Sequence, residues 1–170
     1  MRLLRNVGAG VLAGAVGTSA MDLLLYARYR RGGGKDSFGR WELAGDVMGW
    51  EDASAPGQLG RKALRQVTGN EPPNEWARPA TNIVHWATGI GWGAMYGALA
   101  STTSRRPLAR ALALGPVVWL SGYVLLPLAK VYEPIWRYDA RTLAKDLSAH
   151  LVYGAAASSV FAVLTREAAG

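Results

Sequence analysis

Three ionisable side chains that lie inside long apolar stretches of the sequence are the residues best able to do chemistry. They are Asp22, His85 and His150. An ionisable group inside a membrane helix is costly unless it faces protein, water or a partner, so each is a candidate functional residue. Asn82 and Asp146 are available at a similar depth. The sequence therefore predicts a polar cluster formed by these five residues.

Three interpretations of this cluster stay open. The first is a hydrogen-bond cluster, with Asp22 bonded to a histidine or an arginine, that fixes the register of packed helices. The second is haem ligation by His85 and His150 from facing helices, and the third is a proton or ion path through the same residues. A dedicated zinc site is not indicated, because no His-x-x-x-His pair or close acidic motif accompanies the histidines. Small residues that could line a porphyrin groove are Gly89, Gly93 and Gly154.

The elements that must position these residues are four apolar stretches, at 7–26, 81–100, 109–128 and 147–164. Each is about long enough to cross roughly 30 Å of hydrocarbon as a helix. Arginine, tryptophan and tyrosine residues flank them, as is typical of membrane interfaces. The predicted fold class is therefore all-α, a polytopic membrane protein with a four-transmembrane-helix bundle in a single domain over 1–170. A buried helical bundle in water is the alternative.

An up-down bundle would bring the candidate residues together. The second and fourth helices run in one direction and the first runs in the other, so Asp22, His85 and His150 share one side of the membrane.

The first stretch also has the zones of a secretory signal peptide, with cleavage conceivable after Ala20. We expect it to be retained, because its apolar character resumes at Leu23.

Small residues recur at helical spacing in the apolar stretches. They permit close approach of helix backbones, which is a main source of contact between membrane helices. A pore or a cofactor groove is the alternative use of such faces. The residues predicted to pack helices in this way, in the manner of a glycine zipper, are Gly10, Gly14, Gly89, Gly93, Gly97, Gly154 and Ser158.

A polar excursion over 27–80 separates the first two apolar stretches. Ser37 to Gly49 is compatible with a short amphipathic helix that ends near Trp50. A second helix is predicted to begin around Ser54 and to end at Gly69, and its apolar face is predicted to contain Leu59, Ala63, Leu64 and Val67. These helices either lie in the membrane interface or form a docking surface for another subunit.

Charge and composition exclude several classes of function. The chain has 19 Lys and Arg against 12 Asp and Glu, but the basic residues are dispersed beside the apolar stretches. Anionic lipid headgroups are therefore the expected counterions, and nucleic acid is not an expected partner. The chain has no cysteine, so it has no thiolate ligand or nucleophile. No phosphate loop or nucleophile elbow occurs, and we expect no enzymatic activity.

The distribution of arginine bears on orientation. Counting basic residues favours a cytoplasmic excursion over 27–80, because its side of the membrane carries more of them in total. The basic residues on the side of the two termini are Arg2, Arg5, Arg105, Arg106, Arg110 and Arg166.

One segment supports a family resemblance. Asn82-Ile-Val-His85-Trp, followed by Gly89, Gly93, Tyr96 and Gly97, resembles small uncharacterised bacterial inner-membrane proteins, distantly the YagU-like group, and the Arg- and Ala-rich composition resembles actinobacterial proteins. The resemblance covers mainly the second apolar stretch. It implies a bacterial inner-membrane location and transfers no catalytic residues.

The sequence thus favours a non-enzymatic integral membrane protein that is an accessory or scaffolding component of a membrane assembly. Its expected partners are membrane lipids, anionic headgroups included, and other membrane-protein subunits or a second copy of the chain. The alternative is a haem-binding or proton- or ion-handling bundle that uses Asp22, His85 and His150.

Overall fold

The structure is a computed structural model that describes residues 2–102 and 107–167. These residues form α-helices and short 3₁₀ turns, and no strand occurs within them, so the all-α fold class is confirmed. The 3₁₀ turns are Asn74–Trp76 and Ile135–Arg137. The helices are α1 (Arg2–Arg31), α2 (Phe38–Glu42), α3 (Ala55–Thr68), α4 (Ala77–Thr102), α5 (Pro107–Leu128) and α6 (Ala140–Glu167).

Three helical segments in the described part of the chain are long and apolar enough to cross a membrane. They are Arg2–Arg31, Leu108–Leu128 and Ala140–Arg166. Helix α4 covers the remaining predicted stretch and is 26 residues long, or about 39 Å at 1.5 Å per residue. Its length is sufficient, but its glycines and polar side chains lower its mean hydropathy. Three of the four predicted spans therefore meet both criteria.

The chain divides into two compact units. The first unit comprises Met1–Leu25, Thr88–Gly122 and Tyr138–Gly170, and the second comprises Tyr26–Ala87 and Tyr123–Arg137. The first unit thus takes most of α1, α5 and α6 and the second half of α4. The second unit contains α2 and α3 together with the adjoining ends of the long helices.

Backbone contacts between small residues hold α1 against α4 in the first unit. A methyl group placed on Gly14 would lie 2.7 Å from the carbonyl oxygen of Gly89 and 3.1 Å from the Cα atom of Gly93. Helix α5 approaches α6 in the same way, because a methyl group on Gly154 would lie 2.8 Å from the Cα atom of Gly115. Close approach of this kind requires that both surfaces lack side chains at the contact.

A few larger side chains fill the rest of the first unit's interior. Tyr153 is 1% exposed, and its hydroxyl donates a hydrogen bond of 2.6 Å to the carbonyl oxygen of Gly89. It packs in a cluster with Leu114, Val118 and Phe161. Ala157 belongs to the same cluster and is 1% exposed. Helix α6 is therefore joined to α4 by a partly buried hydrogen bond beside an apolar core.

Many large apolar side chains of the first unit are exposed on its surface. The interior is built from small residues, and the outer faces of the helices carry leucine, valine and methionine. A continuous apolar exterior on long helices is the arrangement expected in a lipid environment, not in water. The exposed side chains include Leu3, Leu4, Leu12, Val16, Leu23, Met95, Leu99, Leu112, Val117, Leu120, Leu151 and Val163.

The second unit has its own small core, centred on Trp50. Trp50 is 3% exposed, and its indole N–H donates a 2.7 Å hydrogen bond to the carbonyl oxygen of Pro72. Ala53, Ala77 and Ala80 complete the buried cluster, with Leu64 of α3 packed against it. The core fixes the loop before α3 and the start of α4 in one place.

Helix α3 begins and ends where the sequence predicts. Ser54 is its N-cap, and Gly69 is its C-cap with φ of 72°, a conformation that glycine adopts without steric cost. The buried residues of the helix are Gly57 and Gly60, whereas Val67 on the predicted apolar face is 87% exposed. Glycine is found at the buried positions because the lack of a side chain allows α3 to lie directly on α4.

Helix α2 is shorter than predicted. The sequence predicts a helix over much of 37–49, whereas the helix covers Phe38–Glu42 only. Ala44 follows with φ of 49°, in the left-handed region, and this residue breaks the helical path.

Asp139 caps the N-terminus of α6. Its carboxylate accepts hydrogen bonds from the Thr142 backbone N–H at 2.9 Å and from the Thr142 hydroxyl at 2.7 Å. These bonds to the charged form lower the pKa of the Asp139 carboxyl below its ordinary value. The cap is therefore ionised at neutral pH.

Substituting Gly93 and Gly91 separately tests the backbone contact of α1 with α4. A methyl group at Gly93 would lie 2.7 Å from the backbone nitrogen of Gly14, whereas a methyl group at Gly91 would meet nothing within 4 Å. We expect Gly93→Ala to lower the free energy of unfolding by about 1–3 kcal/mol, as overpacking does. Gly91→Ala should be neutral or raise it by up to about 1 kcal/mol, because alanine is the better helix former.

The measurement is the Tm of both purified variants in dodecyl maltoside micelles. Equal Tm values for the two alanine variants would contradict the close packing of α1 on α4.

Candidate functional site

Asp22 is the only charged side chain that is buried among residues 2–102 and 108–166. It is 2% exposed and belongs to the segment Arg2–Arg31, which is long and apolar enough to span a membrane. A carboxyl group in such a place either keeps its proton or, when ionised, requires hydrogen-bond donors or a cation. Asp22 therefore keeps the functional candidacy that the sequence gives it.

An aromatic cluster in the second unit positions α2. Tyr26 and Tyr29 at the end of α1 pack against Phe38 and Trp41 of α2, with ring centroids 5.2 Å apart for Tyr26 and Phe38 and 5.5 Å apart for Tyr26 and Trp41. The Tyr29 hydroxyl donates a 2.6 Å hydrogen bond to the carboxylate of Asp36. These contacts hold α2 by its aromatic side chains. They therefore fix the position of Glu42, the last residue of α2.

Two side chains of α4 hold the residue that follows Glu42. The carbonyl oxygen of Leu43 accepts hydrogen bonds from Arg78 Nε at 2.9 Å and from Asn82 Nδ2 at 3.1 Å. His85 follows Asn82 on α4 by three residues, so the two side chains lie on the same side of the helix. Asn82 thus joins the chain segment that carries Glu42 to the helix that carries His85.

Glu42 and His85 lie together in the second unit as a result. A carboxylate oxygen of Glu42 and a ring nitrogen of His85 are within 4.8 Å of each other. Both side chains are partly buried, and Glu42 Oε1 is enclosed. A carboxylate oxygen and an imidazole nitrogen this close can act as two ligands of one divalent cation, or can exchange a proton through a bridging water.

His150 has a partner on its own helix. Its Nδ1 atom lies 3.0 Å from the backbone carbonyl oxygen of Asp146 and 3.5 Å from the Asp146 carboxylate. The first contact requires the tautomer with a proton on Nδ1. Residues four apart on a helix meet in this way without any help from the fold.

The structure distributes the predicted cluster over both units. Asp22, Asp146 and His150 belong to the first unit, and Asn82 and His85 belong to the second. Within the first unit Asp146 lies close to His150, and within the second unit Glu42 lies close to His85.

The small residues that could have lined a porphyrin groove contact other helices of the first unit. A methyl group on Gly89 would meet the Thr18 hydroxyl, and methyl groups on Gly93 and Gly154 would meet the backbones of Gly14 and Gly115. Neighbouring helices therefore occupy the space that a porphyrin would need beside these glycines.

Glu42 is the residue that sequence reasoning missed. It stands in Phe38-Gly-Arg-Trp-Glu42, a short segment with two aromatic residues, outside the apolar stretches. The sequence feature that could have indicated it is an acidic residue directly after an aromatic residue, in a segment whose aromatic side chains must pack against another part of the protein. Its closeness to His85 depends on a contact between segments 43 residues apart, which no local pattern reports.

Comparison of the chain with family models, curated proteins and solved structures finds no match. The resemblance of 82–97 to YagU-like membrane proteins therefore stays a prediction.

Proposed function

We propose that the chain is a non-enzymatic integral membrane protein that serves as an accessory or scaffolding component of a membrane assembly. The observation that carries the proposal is the apolar exterior of the first unit. Side chains such as Leu12, Leu112 and Leu120 are more than half exposed, although they belong to long helices. Lipid tails or the apolar faces of other membrane proteins are the surroundings in which these side chains are stable.

We also propose that α4 is a fourth span, which would make the long helices a four-helix bundle. Its contacts with α1 at Gly10, Gly14, Gly89, Gly93 and Gly97 support this assignment, because a helix packed so closely along a spanning helix shares its environment. The proposed location is a bacterial inner membrane with the excursion 27–80 on the cytoplasmic side. This location rests on the distribution of Lys and Arg and on the family resemblance.

Cysteine accessibility tests the number of spans, because the chain has no cysteine of its own. Single variants Arg2→Cys, Lys62→Cys and Thr102→Cys place one thiol before α1, in the excursion and at the end of α4. With four spans, a membrane-impermeant maleimide added to intact cells should label position 2 and position 102 alike and leave position 62 unlabelled until the cells are broken.

If α4 does not cross the membrane, positions 62 and 102 lie on the same side of it. Position 102 will then be labelled under the same condition as position 62 and not under the same condition as position 2. Labelling of position 62 alone in intact cells would preserve four spans and overturn the cytoplasmic excursion.

Native mass spectrometry tests the accessory role. We expect the protein extracted from its own membrane in mild detergent to retain a stoichiometric protein partner or a second copy of itself. A variant with Leu112 and Leu120 both changed to Ala keeps the helix and removes exposed apolar surface, so it should lose that partner without loss of Tm. A protein that is monomeric and carries lipid alone would contradict the accessory role.

A second candidate function is cation or proton handling by Glu42 and His85. It is favoured by their approach to within 4.8 Å and by the hydrogen bonds from Arg78 and Asn82 that hold the neighbouring Leu43 carbonyl. A pair of groups placed by several independent contacts resembles a functional site more than a chance meeting of side chains.

The two histidines give this candidate a matched test. We expect Zn²⁺ titrated into the purified protein to bind, and Glu42→Gln and His85→Ala each to weaken the binding about tenfold or more, as loss of a ligand does. His150→Ala should leave the Kd unchanged, because His150 is not among the residues whose ligand atoms lie close to Glu42 and His85. Calorimetry in detergent gives the Kd. Failure of Zn²⁺ to bind, or equal loss in all three variants, would make the pair structural.

A further inference from the structure

A cavity opens at one end of the first unit, and four helices contribute to it. Its volume is about 760 Å³, and it lies among the first turns of α1 and α5 and the last turns of α4 and α6. This volume is within the range of roughly 300–1,000 Å³ that is typical of small-ligand sites. The Glu42–His85 pair belongs to the second unit and takes no part in the cavity.

The cavity is strongly basic. Arg2, Arg5, Arg110 and Arg166 line it, and no acidic residue is among the described residues that do. The partial positive charges at the N-terminal ends of α1 and α5 are offset by the partial negative charges at the C-terminal ends of α4 and α6, so the basic character of the cavity comes from the arginines. The guanidinium group matches the oxygens of a phosphate by paired hydrogen bonds. This chemistry selects an oxyanion, and a phosphate is one that fits.

One wall of the cavity is apolar. Tyr96 and Phe161 form an edge-to-face pair with ring centroids 5.1 Å apart, and Leu108 stands beside them with 70% of its surface exposed. A free phosphate ion has no apolar group that could contact such a wall. The wall suits the glycerol backbone and the first methylene groups of a lipid whose headgroup faces the arginines.

A buried amide adds a second requirement on the ligand. Asn6 lines the cavity and is 9% exposed, and its Oδ1 atom is buried without a hydrogen-bond partner among the described residues. A buried carbonyl oxygen left unpaired is unfavourable, and a donor supplied by a ligand would remove that cost. The ligand that fits therefore carries a hydroxyl group next to its phosphate.

We propose that this cavity binds a phosphate ester with a free hydroxyl group, as in the headgroup of an anionic phospholipid such as phosphatidylglycerol. The arginines bind the phosphate, Asn6 Oδ1 accepts the hydroxyl proton in a hydrogen bond, and the Tyr96–Phe161 wall contacts the glycerol backbone. The site goes beyond the accessory role proposed above. The membrane location bears only on whether the ligand is a lipid or a soluble ester.

The test is calorimetric titration of the purified full-length protein in dodecyl maltoside. Dihexanoyl phosphatidylglycerol should bind saturably with one site per chain. In Arg5→Gln/Arg166→Gln the Kd should rise about 25-fold, given about 1 kcal/mol per basic residue near an anionic headgroup. The control, Arg31→Gln/Lys62→Gln, removes the same charge outside the cavity and should leave the Kd unchanged. The Tm of each double variant shows that it is folded.

Asn6→Ala separates the hydroxyl requirement from the charge requirement. The wild-type protein should prefer dihexanoyl phosphatidylglycerol to dihexanoyl phosphatidylmethanol, which has the same charge and no free hydroxyl group. The variant should bind the two lipids equally. An unchanged preference in Asn6→Ala would overturn the assignment of Asn6.

Glycerol 1-phosphate distinguishes the two sources of the ligand. Binding as tight as that of the lipid would support the site and make a soluble phosphate ester its ligand, whereas much weaker binding would support a membrane lipid. Absence of saturable binding of both compounds would overturn the proposal. An equal loss of affinity in the two double variants would also overturn it, because bulk charge would then account for the binding.

Discussion

The first unit depends on direct contact between the backbones of α1 and α4. At Gly10, Gly14 and Gly93 the two helices approach until a single added methyl group would overlap a backbone atom. Between membrane helices the hydrophobic effect contributes little, and van der Waals contact over a smooth surface takes its place. Larger side chains cannot enter this contact, so they are confined to the outer faces and to the small cluster around Tyr153 and Phe161. The apolar exterior is thus a consequence of the interior.

The second unit uses a different kind of packing. Its core is the indole of Trp50, which is surrounded by alanines and bonded to the carbonyl oxygen of Pro72, and its α3 lies on α4 through Gly57 and Gly60. The α2 segment is held by aromatic rings and by hydrogen bonds to one backbone carbonyl. These are contacts that also hold soluble proteins together. They place Glu42 beside His85, and this pair is the best candidate for a functional site in the second unit.

The sequence predicted the long helices because their apolar stretches have the length of a membrane span, and it predicted α3 because Ser54 and Gly69 are chemically suited to begin and to end a helix. The end of α2 could not be foreseen, since it depends on a left-handed alanine, Ala44, that no turn motif announces. The contact of Asp146 with His150 follows from helical spacing alone. The approach of Glu42 to His85 does not, because it requires knowledge of how two distant segments dock. The arginines of the cavity were visible as a group on one side, but their meeting with Asn6 was not.

The small-residue interior also affects how sequences of this type change with time. The outward positions accept exchange among leucine, valine, isoleucine and methionine with little effect on the fold, so they record ancestry poorly. Positions such as Gly14, Gly93, Gly115 and Gly154 accept almost nothing larger, because the atoms they touch belong to backbones that cannot move aside. Two descendants of one ancestor could therefore lose nearly all overall similarity and still share these glycines at the same spacing. The spacing of the glycines, more than the apolar stretches around them, is the feature by which distant relatives of this chain would be found.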